Sequence, residues 1–189
     1  PGVDFATANP TVLLEGTWSA DGEWLAYVSF ENRVSAVYVQ RVRTGERRQV
    51  SARVGVNGAP AFSPDGTRLA LTLSGSTGNL DIYVLALASQ QLTRITSNPA
   101  IDTEPAWTPD GRGLYFTSDR AGGPQIYRVE LADVARVQRV SFGTAYNARP
   151  RLSADGRWLA FVTREDGRFR IAVQDLGSGA VRSLSGGSL

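Results

Sequence analysis

Four copies of one five-residue turn divide this chain into near-equal parts, and that regularity limits its fold more than any other feature. The copies are Trp18-Ser19-Ala20-Asp21-Gly22, Phe62-Ser63-Pro64-Asp65-Gly66, Trp107-Thr108-Pro109-Asp110-Gly111 and Leu152-Ser153-Ala154-Asp155-Gly156. Their aspartates are 44, 45 and 45 residues apart. A fixed period of this length marks a repeat architecture. The Asp can bond its own downstream backbone, and the Gly accepts the positive φ of a tight hairpin. A lone Asp-Gly would equally suit a metal ligand or a catalytic acid. Four evenly spaced copies read instead as structural turns.

Between the turns, each repeat offers four strand-like segments. In the second repeat these are residues 59–62, 68–73, 81–87 and 92–96, separated by the Gly-rich 74–79 and by 88–90. Segments this short, bounded by turn residues, read as strands rather than helices. The other repeats match, with second strands expected at 24–29, 114–118 and 158–163. Third strands centre on 37–39, 126–128 and 171–173, and fourth strands on 48–50, 137–140 and 181–184. Only Asp133-Val134-Ala135-Arg136 hints at a helical turn.

Four antiparallel strands per 44–45 residues, repeated, is the pattern of an all-β chain folded as a β-propeller. The expected blades span about 12–54, 55–98, 99–143 and 144–187, after a lead-in of 1–11 without periodicity. One such sheet cannot bury both faces, so neighbours must stack. Trp18, Phe62 and Trp107 share one inner-strand position, with Leu152 in the fourth copy, and are expected to wedge between blades.

Composition removes several chemistries. Histidine is absent, which excludes the Ser-His-Asp relay, the two-His zinc helix and the most common general base. Cysteine is absent, so there is neither a disulfide nor a thiolate metal site, a usage that fits the periplasm and the cytosol equally. With 20 basic and 18 acidic residues, nothing drives the chain toward nucleic acid or anionic lipid. No apolar run approaches the ~18 residues of a membrane span. Methionine is missing even at position 1, and the chain reads as a processed or excised piece of something longer.

Beyond the turns, the phrases AYVSFENRVSAVYVQ, NGAPAFSPDGTRLALTLS, TEPAWTPDGRGLYFTSDRAGGPQIYRV and IAVQDLGSGAV resemble the TolB propeller family, whose repeats are WD40-like (PD40). The resemblance runs from about Thr17 to the C-terminus. It implies a six-bladed propeller, of which this chain carries four blades without the family's separate N-terminal domain. It further implies a periplasmic, non-enzymatic protein-binding scaffold of the Tol–Pal system, serving cell-envelope integrity. No cofactor and no metal go with it. The partner it implies is a Pal-like lipoprotein or a disordered peptide segment, docked at the channel mouth.

Strand alternation places the segments entering the inner strands on one face, with Glu15, 56–60, 102–105 and 146–150 at the mouth. These vary between repeats while the Asp-Gly turns barely change, and variation on a regular scaffold is where a specific surface is built. The resemblance implies docking at this mouth, which makes Val56, Asn57, Gly58, Ala59, Asp102, Thr103, Glu104, Tyr146, Asn147 and Arg149 the candidate partner-binding residues. Val56 stands where the family's best-known members place a His, and Glu15-Gly16-Thr17 where they place Ser-Pro-Ala.

Asp102 and Glu104, two apart, are expected to point the same way on an extended strand. They could run acid–base chemistry, or form salt links with Arg149 and Arg151. No base, nucleophile or dense oxygen-ligand loop accompanies them, which disfavours catalysis and calcium alike. The basic run Arg41, Arg43, Arg47, Arg48 lacks the interleaved aromatics of single-strand binders and reads as a solvated sheet edge. Two alternatives stay open. One is the gating propeller of a prolyl-oligopeptidase-like enzyme, whose Gly-x-Ser-x-Gly elbow would lie elsewhere. The other is a repeat fragment without native function that self-assembles through exposed blade edges.

Overall fold

A computed structural model describes residues 13–184, so the lead-in expected at 1–11 lies outside the described residues. Sixteen strands form four antiparallel sheets, each with its strands in chain order. The first sheet holds β1 (Leu13–Trp18), β2 (Trp24–Ser29), β3 (Ala36–Arg41) and β4 (Arg47–Ser51). The second holds β5 (Asn57–Phe62), β6 (Arg68–Leu73), β7 (Asp81–Ala86) and β8 (Leu92–Arg94). The third holds β9 (Asp102–Trp107), β10 (Gly113–Ser118), β11 (Gln125–Glu130) and β12 (Asp133–Arg139). The fourth holds β13 (Asn147–Leu152), β14 (Trp158–Glu165), β15 (Arg168–Asp175) and β16 (Val181–Ser183). No α-helix occurs among the described residues. The helical hint at Asp133–Arg136 is corrected: these residues open β12, because pairing with β11 through Glu130↔Asp133 and Val129↔Val137 outweighs local propensity.

The chain divides into two compact units between Ile95 and Thr96, each holding two sheets. In the first unit, strand alternation turns Ala26, Val28, Val37 and Val39 of the first sheet toward Leu69, Leu71, Leu73 and Leu85 of the second. Phe62 packs against this cluster, as expected of a wedge. In the second unit Tyr115 and Ile126 of the third sheet meet Leu159, Phe161 and Ala172 of the fourth, with Leu152 at the wedge position. Each fully buried Leu, Val or Phe contributes about 1.5–3 kcal/mol, so these seams hold each pair of sheets together.

Trp18 departs from the wedge expectation. Its register is the shared one, since Trp18, Phe62, Trp107 and Leu152 all pair with a leucine, Leu25, Leu69, Leu114 and Leu159. Trp107 is buried, yet Trp18 is 58% exposed. It lies on the face of Leu25, Tyr27 and Tyr38, which form a small cluster within their own sheet rather than joining the seam with the second sheet.

The Asp-Gly turns are built as expected. Each Ser or Thr hydroxyl donates to the aspartate Oδ1 at 2.5 Å and accepts the backbone N–H five residues on. The aspartate also accepts the N–H two residues downstream, and Gly22, Gly66, Gly111 and Gly156 sit at φ of 67–71°.

Candidate functional site

The segments that enter the inner strands share one device that the sequence pattern hides. In each inner strand two residues oppose one on the neighbouring strand, a β-bulge, and the first of the two is left-handed. These residues are Glu15, Ala59, Glu104 and Arg149, at φ of 54°, 44°, 56° and 60°. None is glycine, so each costs about 1–2 kcal/mol relative to ordinary backbone.

Hydrogen bonds between neighbouring bulges offset that cost within each unit. In the first, the Glu15 carboxylate accepts the backbone N–H of Ala59 at 2.7 Å. In the second, Glu104 accepts the backbone N–H of Arg149 at 3.0 Å and the Thr117 hydroxyl at 2.8 Å. The Arg149 guanidinium closes back onto Glu104 at 3.0 Å. Glu15 and Glu104 stand 89 residues apart, two repeats, and perform the same task. Glu15 was expected at the mouth but not among the candidates; the repeat spacing was the signal that could have placed it there.

Four candidates, Asn57, Gly58, Asp102 and Asn147, are withdrawn into the structure. Asn57, Asp102 and Asn147 occupy one repeat position, 45 residues apart, and none is more than 1% exposed. Asn57 Oδ1 accepts from the Ser51 hydroxyl and the Arg53 N–H, while its amide donates to the Arg53 and Gly55 carbonyls. Its own N–H donates to the Ser35 hydroxyl, linking the second sheet to the first. Asn147 bonds Gln125 and Thr144, tying the fourth sheet to the third. Gly58 is buried beside Asn57.

Asp102 is held by Arg120 through both carboxylate oxygens, at 2.8 and 2.7 Å, with the guanidinium stacked on Tyr127. The expected Asp102–Glu104 pair therefore does not form. The left-handed turn at Glu104 breaks the alternation that would align the two, and each carboxylate has its own cation. Of the expected salt links, Glu104–Arg149 is present, while Arg151 donates to the Pro150 carbonyl.

What remains accessible differs by unit. The first presents Val56, 48% exposed, with Ala59 partly buried. The second presents Arg149, whose side chain is 68% exposed, beside Glu104, Thr103 and Tyr146. Tyr146 packs edge-on against Phe169 with ring centroids 5.3 Å apart. Elsewhere, Arg41 pairs with Glu23 and Arg47 with Glu31, and Arg47 also covers the Tyr38 ring. Among the described residues no group of three or more acidic side chains converges as a metal site, and no helix is long and apolar enough to cross a membrane.

The shared bulge, turn and sheet order in all four repeats narrow the fold, and comparison with known proteins decides the family. The model of the TolB β-propeller domain, PD40, matches residues 3–189. The chain belongs to the TolB β-propeller domain family. The crystal structure of TolB from Acinetobacter baumannii is 43% identical with a TM-score of 0.87, covering 95% of this chain and 45% of that one. A putative TolB from Agrobacterium tumefaciens is 27% identical with a TM-score of 0.83, covering 97% of this chain and 67% of that one. The Tol-Pal system protein TolB of Alcanivorax borkumensis is 51% identical over 63 residues, 33% of this chain and 14% of the relative. This chain thus corresponds to less than half the length of the Acinetobacter protein. A puromycin-hydrolyzing peptidase of Mycobacterium tuberculosis, 19% identical at a TM-score of 0.71, shares the fold alone.

Proposed function

We propose that this chain is a non-enzymatic protein-binding scaffold of the Tol–Pal system in the periplasm. On this reading a Pal-like lipoprotein or a disordered peptide docks on the loops that enter the inner strands. One observation carries it: the bulge is the same in every repeat while the residues mounted on or beside it change, from Val56 and Ala59 to Thr103 and Glu104 to Tyr146 and Arg149. A rigid, repeated frame with variable, accessible side chains suits recognition by preformed loops, with a polar and partly wet contact and little rearrangement. Asn57, Asp102 and Asn147 serve it by holding the loops in place.

The test is calorimetric titration of the chain with Pal. Val56→Glu and Arg149→Glu change exposed side chains, and each is expected to weaken binding about tenfold, or about 1.4 kcal/mol. The melting temperature is expected to hold in Val56→Glu and to fall in Arg149→Glu, which sets a second carboxylate beside Glu104. Wild-type affinity in both variants would refute the docking surface.

A further inference from the structure

The second unit contains a cleft of about 510 Å³ between its third and fourth sheets, on the side of the Asp-Gly turns. Its counterpart in the first unit is apolar seam. There Val39, which pairs with Ala26, and Leu85, which pairs with Leu69, both belong to the buried cluster, at 2% and 4% exposure. The residues of the same register in the second unit are Arg128, which pairs with Tyr115, and Gln174, which pairs with Leu159. Both line the cleft. A buried apolar pair has been replaced by a guanidinium and an amide, against what the repeat calls for.

The replacement leaves bonding capacity unused. Arg128 Nε and Gln174 Oε1 are buried and have no hydrogen-bond partner. Unpaired polar groups at a seam destabilise it, and such groups in a native protein call for a reason. Arg128 is also tethered, since its Nη2 donates to Glu130. Part of the lining stays apolar, with Val140, Leu152 and Leu176 packed against the buried cluster that holds Tyr115, an apolar floor to the cleft. At its wall two carboxylates, Asp110 and Asp155, balance the two guanidiniums of Arg128 and Arg139, so the cleft favours no net charge in its occupant.

We infer that this cleft is a second binding site, separate from the inner-strand loops, and that it takes a short extended peptide segment bearing one apolar side chain. A peptide group carries one carbonyl to accept from Arg128 and one N–H to donate to Gln174. The terminal torsion of Gln174 is broad, which lets its amide oxygen turn to the cleft surface while Glu130 holds Arg128 in place. The apolar floor then receives the side chain. A saccharide would match the polar groups less well, because Tyr115, buried at 4% exposure, offers no open ring face for a sugar to stack on.

The test uses the full chain and two probes, the blocked tripeptide acetyl-Gly-Leu-Gly-amide and maltotriose, followed by amide and side-chain NMR shifts. The tripeptide is expected to shift the Arg128 Nε–H and Gln174 side-chain signals, with a dissociation constant of about 1 mM. Arg128→Val with Gln174→Leu, which installs the residues of the first unit, is expected to weaken the tripeptide about tenfold while raising the melting temperature. Should the double variant not fold, Gln174→Leu alone serves. No tripeptide shifts, undiminished shifts in the variant, or shifts with maltotriose alone would each overturn the assignment.

Discussion

Asp65 is a carboxylate by construction. The Ser63 hydroxyl donates to it at 2.5 Å, the Thr67 N–H at 3.0 Å and the Thr67 hydroxyl at 2.8 Å. All three favour the ionised form, the Ser63 bond most, and the pKa falls from 3.8 to about 2. Asp21, Asp110 and Asp155 are lowered in the same direction, each chiefly by its own Ser or Thr hydroxyl. A group depressed on folding stabilises fully above its unfolded pKa, and that contribution disappears as pH drops through the folded value. For Asp65 the window runs from about pH 4 down to about pH 2. Carboxyl NMR titration is expected to find Asp65 near the lower end, and Ser63→Ala should move it back toward 3.8. A midpoint indifferent to that substitution would contradict the hydroxyl as the main cause.

At the scale of the strand, the position shared by Asn57, Asp102 and Asn147 fixes how each inner strand begins. Asn57→Ala strands the buried Ser51 hydroxyl and removes the partner of the part-buried Arg53 N–H and of two part-buried carbonyls. A loss of about 2–3 kcal/mol in a urea titration is expected, and a loss below about 0.5 kcal/mol would show the position to be dispensable. The strands themselves were open to sequence reading. Residues 24–29 and 68–73 alternate or run apolar between turn residues, and they form β2 and β6 with those bounds. The bulges were not, because a left-handed Glu, Ala or Arg has no compositional mark and depends on register between strands. Burial of Asn57 and Asn147 was hidden for a related reason. A polar residue where a turn runs into a strand reads as a solvated loop until Ser35, Ser51, Gln125 and Thr144 are placed around it. The exchange of Val39 and Leu85 for Arg128 and Gln174 was present in the repeat alignment, but its meaning needed the seam on which both pairs lie.

For the molecule as a whole, the fourth sheet carries a face that its counterparts bury. Ile171 and Val162 repeat the register of Ile126 and Thr117, which are covered by the fourth sheet, and of Val37 and Val28, which are covered by the second. Yet Ile171 is 43% exposed, and Phe169, two residues before it on the same face of β15, is 64% exposed. Exposed apolar side chains on one sheet face favour association with a second apolar surface. Sedimentation of this 189-residue chain is expected to show its mass rising with concentration, and Ile171→Asp should hold it at the monomer. A monomer at all concentrations would exclude self-association through this face.

The Ser/Thr–Asp turn bonds only residues two to five positions apart, so it closes with no neighbouring sheet present. In an unfolded chain loops this short close within about 100 ns. Each hairpin can therefore nucleate alone, well before any seam has formed. A hydroxyl removed there should slow refolding more than it hastens unfolding.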